Sequence, residues 1–74
     1  MTDEEKLSQL IREETGQLAG MDTPLELLKL DSLEFVDLVL QVGKLFGSEI
    51  PDLAIVRLNT VGDLLKEALA ARIV

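Results

Sequence analysis

The sequence predicts an all-α protein: a four-helix bundle with three main helices, a short third helix and a long first loop. Apolar residues recur at i, i+3, i+4 spacing behind helix-capping signals at three places along the chain. The apolar complement is mostly Leu, Val and Ile, with only Phe35 and Phe46 as aromatics, which suits the core of a small bundle. The single run that also reads as a strand would have no partner to pair with.

Thr2 caps the first predicted helix, and Glu5, three residues on, completes a capping box. Asp3, Glu4 and Glu5 suit the positive end of the helix dipole. Leu7, Leu10 and Ile11 form the buried stripe, and Gly16 stops the helix. Helix 1 is placed at about residues 3–15.

Residues 16–31 carry the punctuation Gly16, Gly20 and Asp22-Thr23-Pro24. Thr23 as cap and Pro24 at the first helical position would start a short turn. Leu25, Leu27, Leu28 and Leu30 make the segment too apolar to float in solvent, so it should fold back and close one end of the core. It is long for a connection between helices.

Helix 2, at about residues 32–46, begins at Asp31 or Ser32, with Glu34 completing a box-like pattern. Phe35, Leu38, Val39, Val42, Leu45 and Phe46 should face the core. Leu33, Glu34, Asp37, Leu40, Gln41 and Lys44 fall on the other face, with Val36 bordering both. Gly43 inside this helix costs about 1 kcal/mol relative to Ala, and is there either for close packing or by tolerance. Pro51 interrupts the chain, and helix 3 is expected at about residues 52–58. Thr60 with Asp63 caps helix 4, at about residues 61–72, whose stripe is Val61, Leu64, Leu65, Ala68 and Leu69. Arg72 would lie on the negative pole of its dipole.

Composition then limits the chemistry. At 74 residues the chain is near the lower limit for a single apolar core without metals or disulfides. It has no Cys, which excludes disulfides, thiolate zinc sites and cysteine nucleophiles. It has no His either, so the usual general base and the commonest metal ligand are missing, which argues against a self-sufficient hydrolase. A net charge of −7 argues against nucleic acid, whose phosphates need a positive surface. The same charge favours basic patches on protein partners, or else simply keeps a small protein soluble. The apolar runs are too short to span a bilayer, and Met1-Thr2-Asp3-Glu4-Glu5 lacks the basic start of a secretory signal, so a cytoplasmic protein is expected.

Ser32, where the loop turns into helix 2, is the residue of most interest. As a nucleophile it lacks a base and the glycines of a nucleophile elbow. Two readings stay open on helix physics alone: a helix cap, or a hydroxyl modified by another enzyme beside backbone N–H groups that support a phosphate. Glu34 and Asp37 read as a solvated acidic face and not as a metal or acid–base pair, for want of a cleft or a third ligand. Leu33 and Leu40 are apolar residues off the core stripe beside these carboxylates. They are either incidental or a docking surface.

The sequence resembles the acyl carrier protein family. The match runs through Asp31-Ser32-Leu33-Glu34, Val36-Asp37-Leu38-Val39, Leu45-Phe46-Gly47, Glu49-Ile50-Pro51-Asp52 and Asn59-Thr60-Val61-Gly62-Asp63-Leu64, covering roughly residues 25–70. The resemblance implies that the protein is a standalone carrier and not an enzyme. Ser32 would bear 4′-phosphopantetheine through a phosphodiester installed by a Mg²⁺-dependent phosphopantetheinyl transferase. Acyl groups would ride on the arm's thiol as thioesters during fatty-acid, polyketide or related lipid biosynthesis. Helix 2 would be the recognition helix, with Asp31, Leu33, Glu34, Val36, Asp37 and Leu40 meeting basic docking patches on acyl-transferring and acyl-modifying enzymes. Helix 3 would help gate the space for the acyl chain, and the protein would be a monomer. The rival is a small acidic interaction module in which Ser32 is only a helix cap.

The chain also departs from the family. Lys29 stands where a glycine is common, three residues before the serine, and the loop before Ser32 is shorter than is usual in the family. Gln41, Gly43 and Lys44 replace the usual acidic residues late in helix 2. These changes fit a specialised carrier serving a dedicated pathway. Leu30-Asp31 before the serine separates the chain from peptidyl carriers, which usually show glycines there.

Overall fold

A computed structural model describes residues 1–73. Four α-helices, α1 (Asp3–Thr15), α2 (Ser32–Phe46), α3 (Asp52–Ile55) and α4 (Val61–Ala70), are joined by loops, the first of which holds a 3₁₀ turn at Leu25–Leu28. The all-α class, the short third helix and the long first loop are as the sequence predicts. Among the described residues none forms a strand, and no helix is long and apolar enough to cross a membrane.

Each main helix starts on a reciprocal capping box. Thr2 and Glu5 exchange bonds of 3.1 and 3.0 Å, Asp31 and Glu34 of 2.8 and 3.1 Å, and Thr60 and Asp63 two of 3.1 Å. These satisfy N–H groups that a helix start leaves orphaned, each cap being worth about 1 kcal/mol. α1 and α2 end on Gly16 and Gly47 in the left-handed conformation, at φ 74° and 66°.

α1, α2 and α4 pack on one another. The core consists of Leu7 and Ile11 from α1, Leu38, Val39, Val42 and Phe46 from α2, and Val61, Leu64, Leu65 and Ala68 from α4. Leu25 and Leu28 of the 3₁₀ turn close one end, so the apolar loop does fold back on the bundle. The core holds no buried polar side chain among the described residues. Each buried Leu or Val contributes about 1.5–3 kcal/mol by the area it removes from water.

The sequence reading needs five corrections. Leu45 is 42% exposed and not in the core, because it lies at the edge of the α2 stripe where the helix ends, beside a groove against Leu10 and Glu13. Thr23 does not cap the 3₁₀ turn: its hydroxyl accepts from Gly20 N–H at 3.0 Å, and Pro24 takes the cap position. Leu27, counted among the residues folding inward, is 60% exposed. Helix 3 stops at Ile55 and not at Leu58, because the last bonds tighten to i→i+3 (Leu58 N–H to Ile55 O, 3.3 Å) and Asn59 O then accepts from Leu25 N–H at 2.8 Å. Helix 4 stops at Ala70, short of Arg72, because Ala71 O accepts from Glu49 N–H at 3.3 Å and Ile73 N–H reaches Gly47 O at 3.0 Å. Arg72 therefore lies beyond the helix dipole, with its guanidinium 5.7 Å from the Phe46 ring centre and 3.7 Å from the Asp3 carboxylate.

Gly43 is explained by a close approach. After Gly47 the chain turns back so that Ser48 N–H meets Gly43 O at 2.8 Å, and a Cβ on Gly43 would fall 2.8 Å from Ser48 O. Backbone, not a neighbouring helix, fills the space. Gly43→Ala should therefore destabilise by about 1–3 kcal/mol, although Ala is the better helix former. A lower urea midpoint with an unchanged slope would bear this out, and a rise would refute it.

Two capping carboxylates also set an acid limit. Glu5 is held below its ordinary value by the Thr2 N–H, with the Thr2 hydroxyl adding. Asp63 is held low by the N–H groups of Thr60 and Asn59. Neither has these bonds in the unfolded chain. Their stabilisation is thus complete above about pH 5 and is lost as pH falls through the lower folded values. Thermal midpoints should fall on that acid side, and Asp63→Asn should flatten the fall. An unchanged pH dependence in that variant would count against the cap.

Candidate attachment and docking site

Ser32 is the first residue of α2, and its position is fixed from both sides. Upstream, Leu25 and Leu28 are buried, and residues 21–25 are pinned to the start of α4 by backbone bonds. Leu25 N–H donates to Asn59 O at 2.8 Å, Val61 N–H to Thr23 O at 3.0 Å and Gly62 N–H to Met21 O at 2.8 Å. Gln17 Nε2 holds Leu28 O at 2.7 Å. Lys29 then reverses the chain in the left-handed conformation, at φ 53°, ψ 43°. Downstream, the Asp31–Glu34 box sets the first turn of the helix.

The cap position of α2 belongs to Asp31. Asp31 Oδ1 accepts from Glu34 N–H at 2.8 Å, and Glu34 Oε1 accepts from Asp31 N–H at 3.1 Å. Ser32 is exposed, and among the described residues its hydroxyl makes no hydrogen bond. A hydroxyl left free at a helix start by its neighbour is available for modification. The helix does not need it.

The outer face of α2 brings together most of the predicted docking residues. Leu33, Val36 and Leu40, at i, i+3, i+7 spacing, are 82%, 49% and 59% exposed. Glu34 and Asp37 are exposed beside them, and Asp31 is exposed at the helix start. Sequence reasoning missed two further exposed apolar residues, Leu53 and Val56, which are 75% and 79% exposed at α3 and just after it. Their i, i+3 spacing was the available signal, but it reads equally as a buried stripe. Between α2 and residues 48–55 lies a cavity of about 520 Å³. Val36, Val39, Leu40, Ile50 and Ile55 give it apolar walls, and Gly43 and Ser48 also line it.

A family model described as "phosphopantetheine attachment site" matches residues 5–67 of this chain. The chain belongs to that family. It is thus a carrier of covalent 4′-phosphopantetheine and not an enzyme. Its fold is similar to that of an acyl carrier protein from Thermotoga maritima, with a TM-score of 0.73 at 23% identity, over 90% of this chain and 82% of that one. The exposed, unbonded Ser32 hydroxyl fits the attachment of such a group.

Lys29 is the one non-glycine residue with positive φ among the described residues. This conformation costs an L-residue about 1–2 kcal/mol, which glycine escapes. Lys29→Gly should therefore stabilise the unmodified protein by up to about 1 kcal/mol, the relief being reduced by glycine's greater freedom in the unfolded chain. Urea unfolding measures this, and a loss of stability would refute the strain.

Proposed function

We propose that Ser32 bears the 4′-phosphopantetheine arm through a phosphodiester and that the protein is an acyl carrier. The observation that carries this is the exposed Ser32 hydroxyl, left without a hydrogen-bond partner among the described residues because Asp31 caps the helix. The reading of Ser32 as a mere cap loses its premise on the same observation. The arm would supply a terminal thiol on which acyl groups are held as thioesters, a group the chain lacks because it has no cysteine. A phosphopantetheinyl transferase would form the bond from Ser32 Oγ to the pantetheine-side phosphorus of coenzyme A while that phosphorus loses its bond to the bridging pyrophosphate oxygen, which leaves with adenosine 3′,5′-bisphosphate. The hydroxyl proton passes to the transferase.

The outer face of α2 is the docking surface in this reading. Leu33, Val36 and Leu40 offer apolar contact, and Asp31, Glu34 and Asp37 attract basic patches on acyl-transferring and acyl-modifying enzymes. The cavity between α2 and α3 offers apolar walls to an acyl chain. Fatty-acid, polyketide or related lipid biosynthesis is the setting, and Lys29, Gln41, Gly43 and Lys44 fit a carrier specialised for one pathway. So read, the chain acts as a monomer in the cytoplasm.

Incubation with a transferase and coenzyme A should raise the intact mass by one phosphopantetheine and create one titratable thiol. Ser32→Ala should abolish both. Asp37→Lys should slow loading or acyl transfer on the order of tenfold, most strongly at low salt. A mass gain that survives Ser32→Ala, or none with several transferases of broad specificity, would sink the proposal.

A further inference from the structure

Between Arg12 and Lys44 the chain has a single basic residue, Lys29. It stands three residues before Ser32, in a backbone conformation that favours glycine. Glycine would hold this conformation without the strain, and the side chain that lysine adds here is an exposed cation. The cation is not used within the fold. Among the described residues the ion pair formed is Arg72–Asp3, so Lys29 has no carboxylate partner. The nearest carboxylates along the chain toward Ser32, those of Asp31 and Glu34, are turned onto the first turn of α2 by their capping bonds.

A phosphodiester on Ser32 would add negative charge beside Asp31, Glu34 and Asp37 in a chain already at −7. Three residues span at most about 11 Å between Cα atoms. The flexible four-carbon stem of Lys29 and the side chain of Ser32 close much of that gap. We propose that Lys29 is a positioning residue for the arm, its ammonium pairing with the phosphodiester at Ser32 and holding the base of the arm against the start of α2. This rests on Ser32 being the attachment point. The pair offsets the repulsion from the neighbouring carboxylates.

The test compares unloaded and loaded full-length protein as the native chain, Lys29→Gln and Lys29→Arg. Gln removes the charge while leaving the left-handed backbone strained, so the unloaded forms control for folding. Intact mass is read first. A native chain that never loads fails the attachment reading and this one with it, whereas loading with the results below separates them. In loaded protein the phosphorus NMR resonance of the diester should move between native and Lys29→Gln and return in Lys29→Arg. The ε-methylene protons of Lys29 should shift on loading while those of Lys44 stay. The native-to-Gln gap in unfolding midpoint should be wider in the loaded form by on the order of 2–4 °C, and should close at high salt. Equal phosphorus shifts in native and Lys29→Gln, or an equal midpoint gap in both forms, overturn the proposal. So does slower loading of Lys29→Gln with an unmoved phosphorus resonance, since the cation would then serve the transferase contact and not the arm.

Discussion

Asp31 and Glu34 exchange two hydrogen bonds across the first turn of α2, at 2.8 and 3.1 Å, and this pair determines where the helix begins. Everything that follows along α2 takes its direction from that start. With Ser32 as first residue, Leu38, Val42 and Phe46 fall inward, while Leu33, Val36 and Leu40 fall outward. A start one residue later would rotate every side chain by about a third of a turn relative to the cap, since a turn holds about 3.6 residues. The hydroxyl would then be engaged in the cap. The geometry thus ties the freedom of Ser32 to the position of the apolar strip beside it.

Backbone pairing does what the small core does not. Residues 21–25 are bonded to residues 59–62, and residues 47–49 to residues 71–73, so both ends of the bundle are tied by main-chain bonds between irregular segments. These bonds orient the chain entering α2 and the chain leaving it. Among the described residues the twelve buried apolar ones are otherwise drawn from α1, α2, α4 and the 3₁₀ turn alone. A core of this size supplies little surplus stability, so such ties weigh heavily.

Local features of the chain were legible in the sequence, and features set by distant segments were not. The capping boxes at Thr2, Asp31 and Thr60 and the stops at Gly16 and Gly47 are written in neighbouring residues, and each helix start was placed from them. Helices 3 and 4 ran too long in prediction because their true ends are fixed by partners distant in sequence, Leu25 for Asn59, 34 residues away, and Glu49 for Ala71, 22 residues away. Gly43 was ambiguous for the same reason: the atom that forbids a side chain there belongs to a turn following the helix. Arg72 was misplaced with helix 4, and its contacts with Phe46 and Asp3 are tertiary. In the site itself Ser32 stood out at once, but its local role did not, because Asp31 and Ser32 are both good caps one residue apart. Only the hydrogen bonds separate them.

The two sides of the cavity beside α2 differ in how firmly they are held. The Ser32 end is set by a capping box, a buried 3₁₀ turn and three backbone bonds to Asn59 and the first two residues of α4. The opposite wall, α3, is a single turn of four residues with no buried side chain and with Leu53 and Val56 facing solvent. Helices this short gain little from their own hydrogen bonds, and segments with few buried contacts lie at the low end of local stability. α3 is therefore the wall of the cavity that costs least to displace, because moving it exposes little of the core. Under the proposed function this asymmetry would serve a carrier: a fixed root for its arm and a yielding wall beside the space an acyl chain would enter. The cavity's apolar lining suits it as well, since Val36, Val39, Leu40, Ile50 and Ile55 are branched aliphatic side chains and, among the described residues, no aromatic ring lines the space.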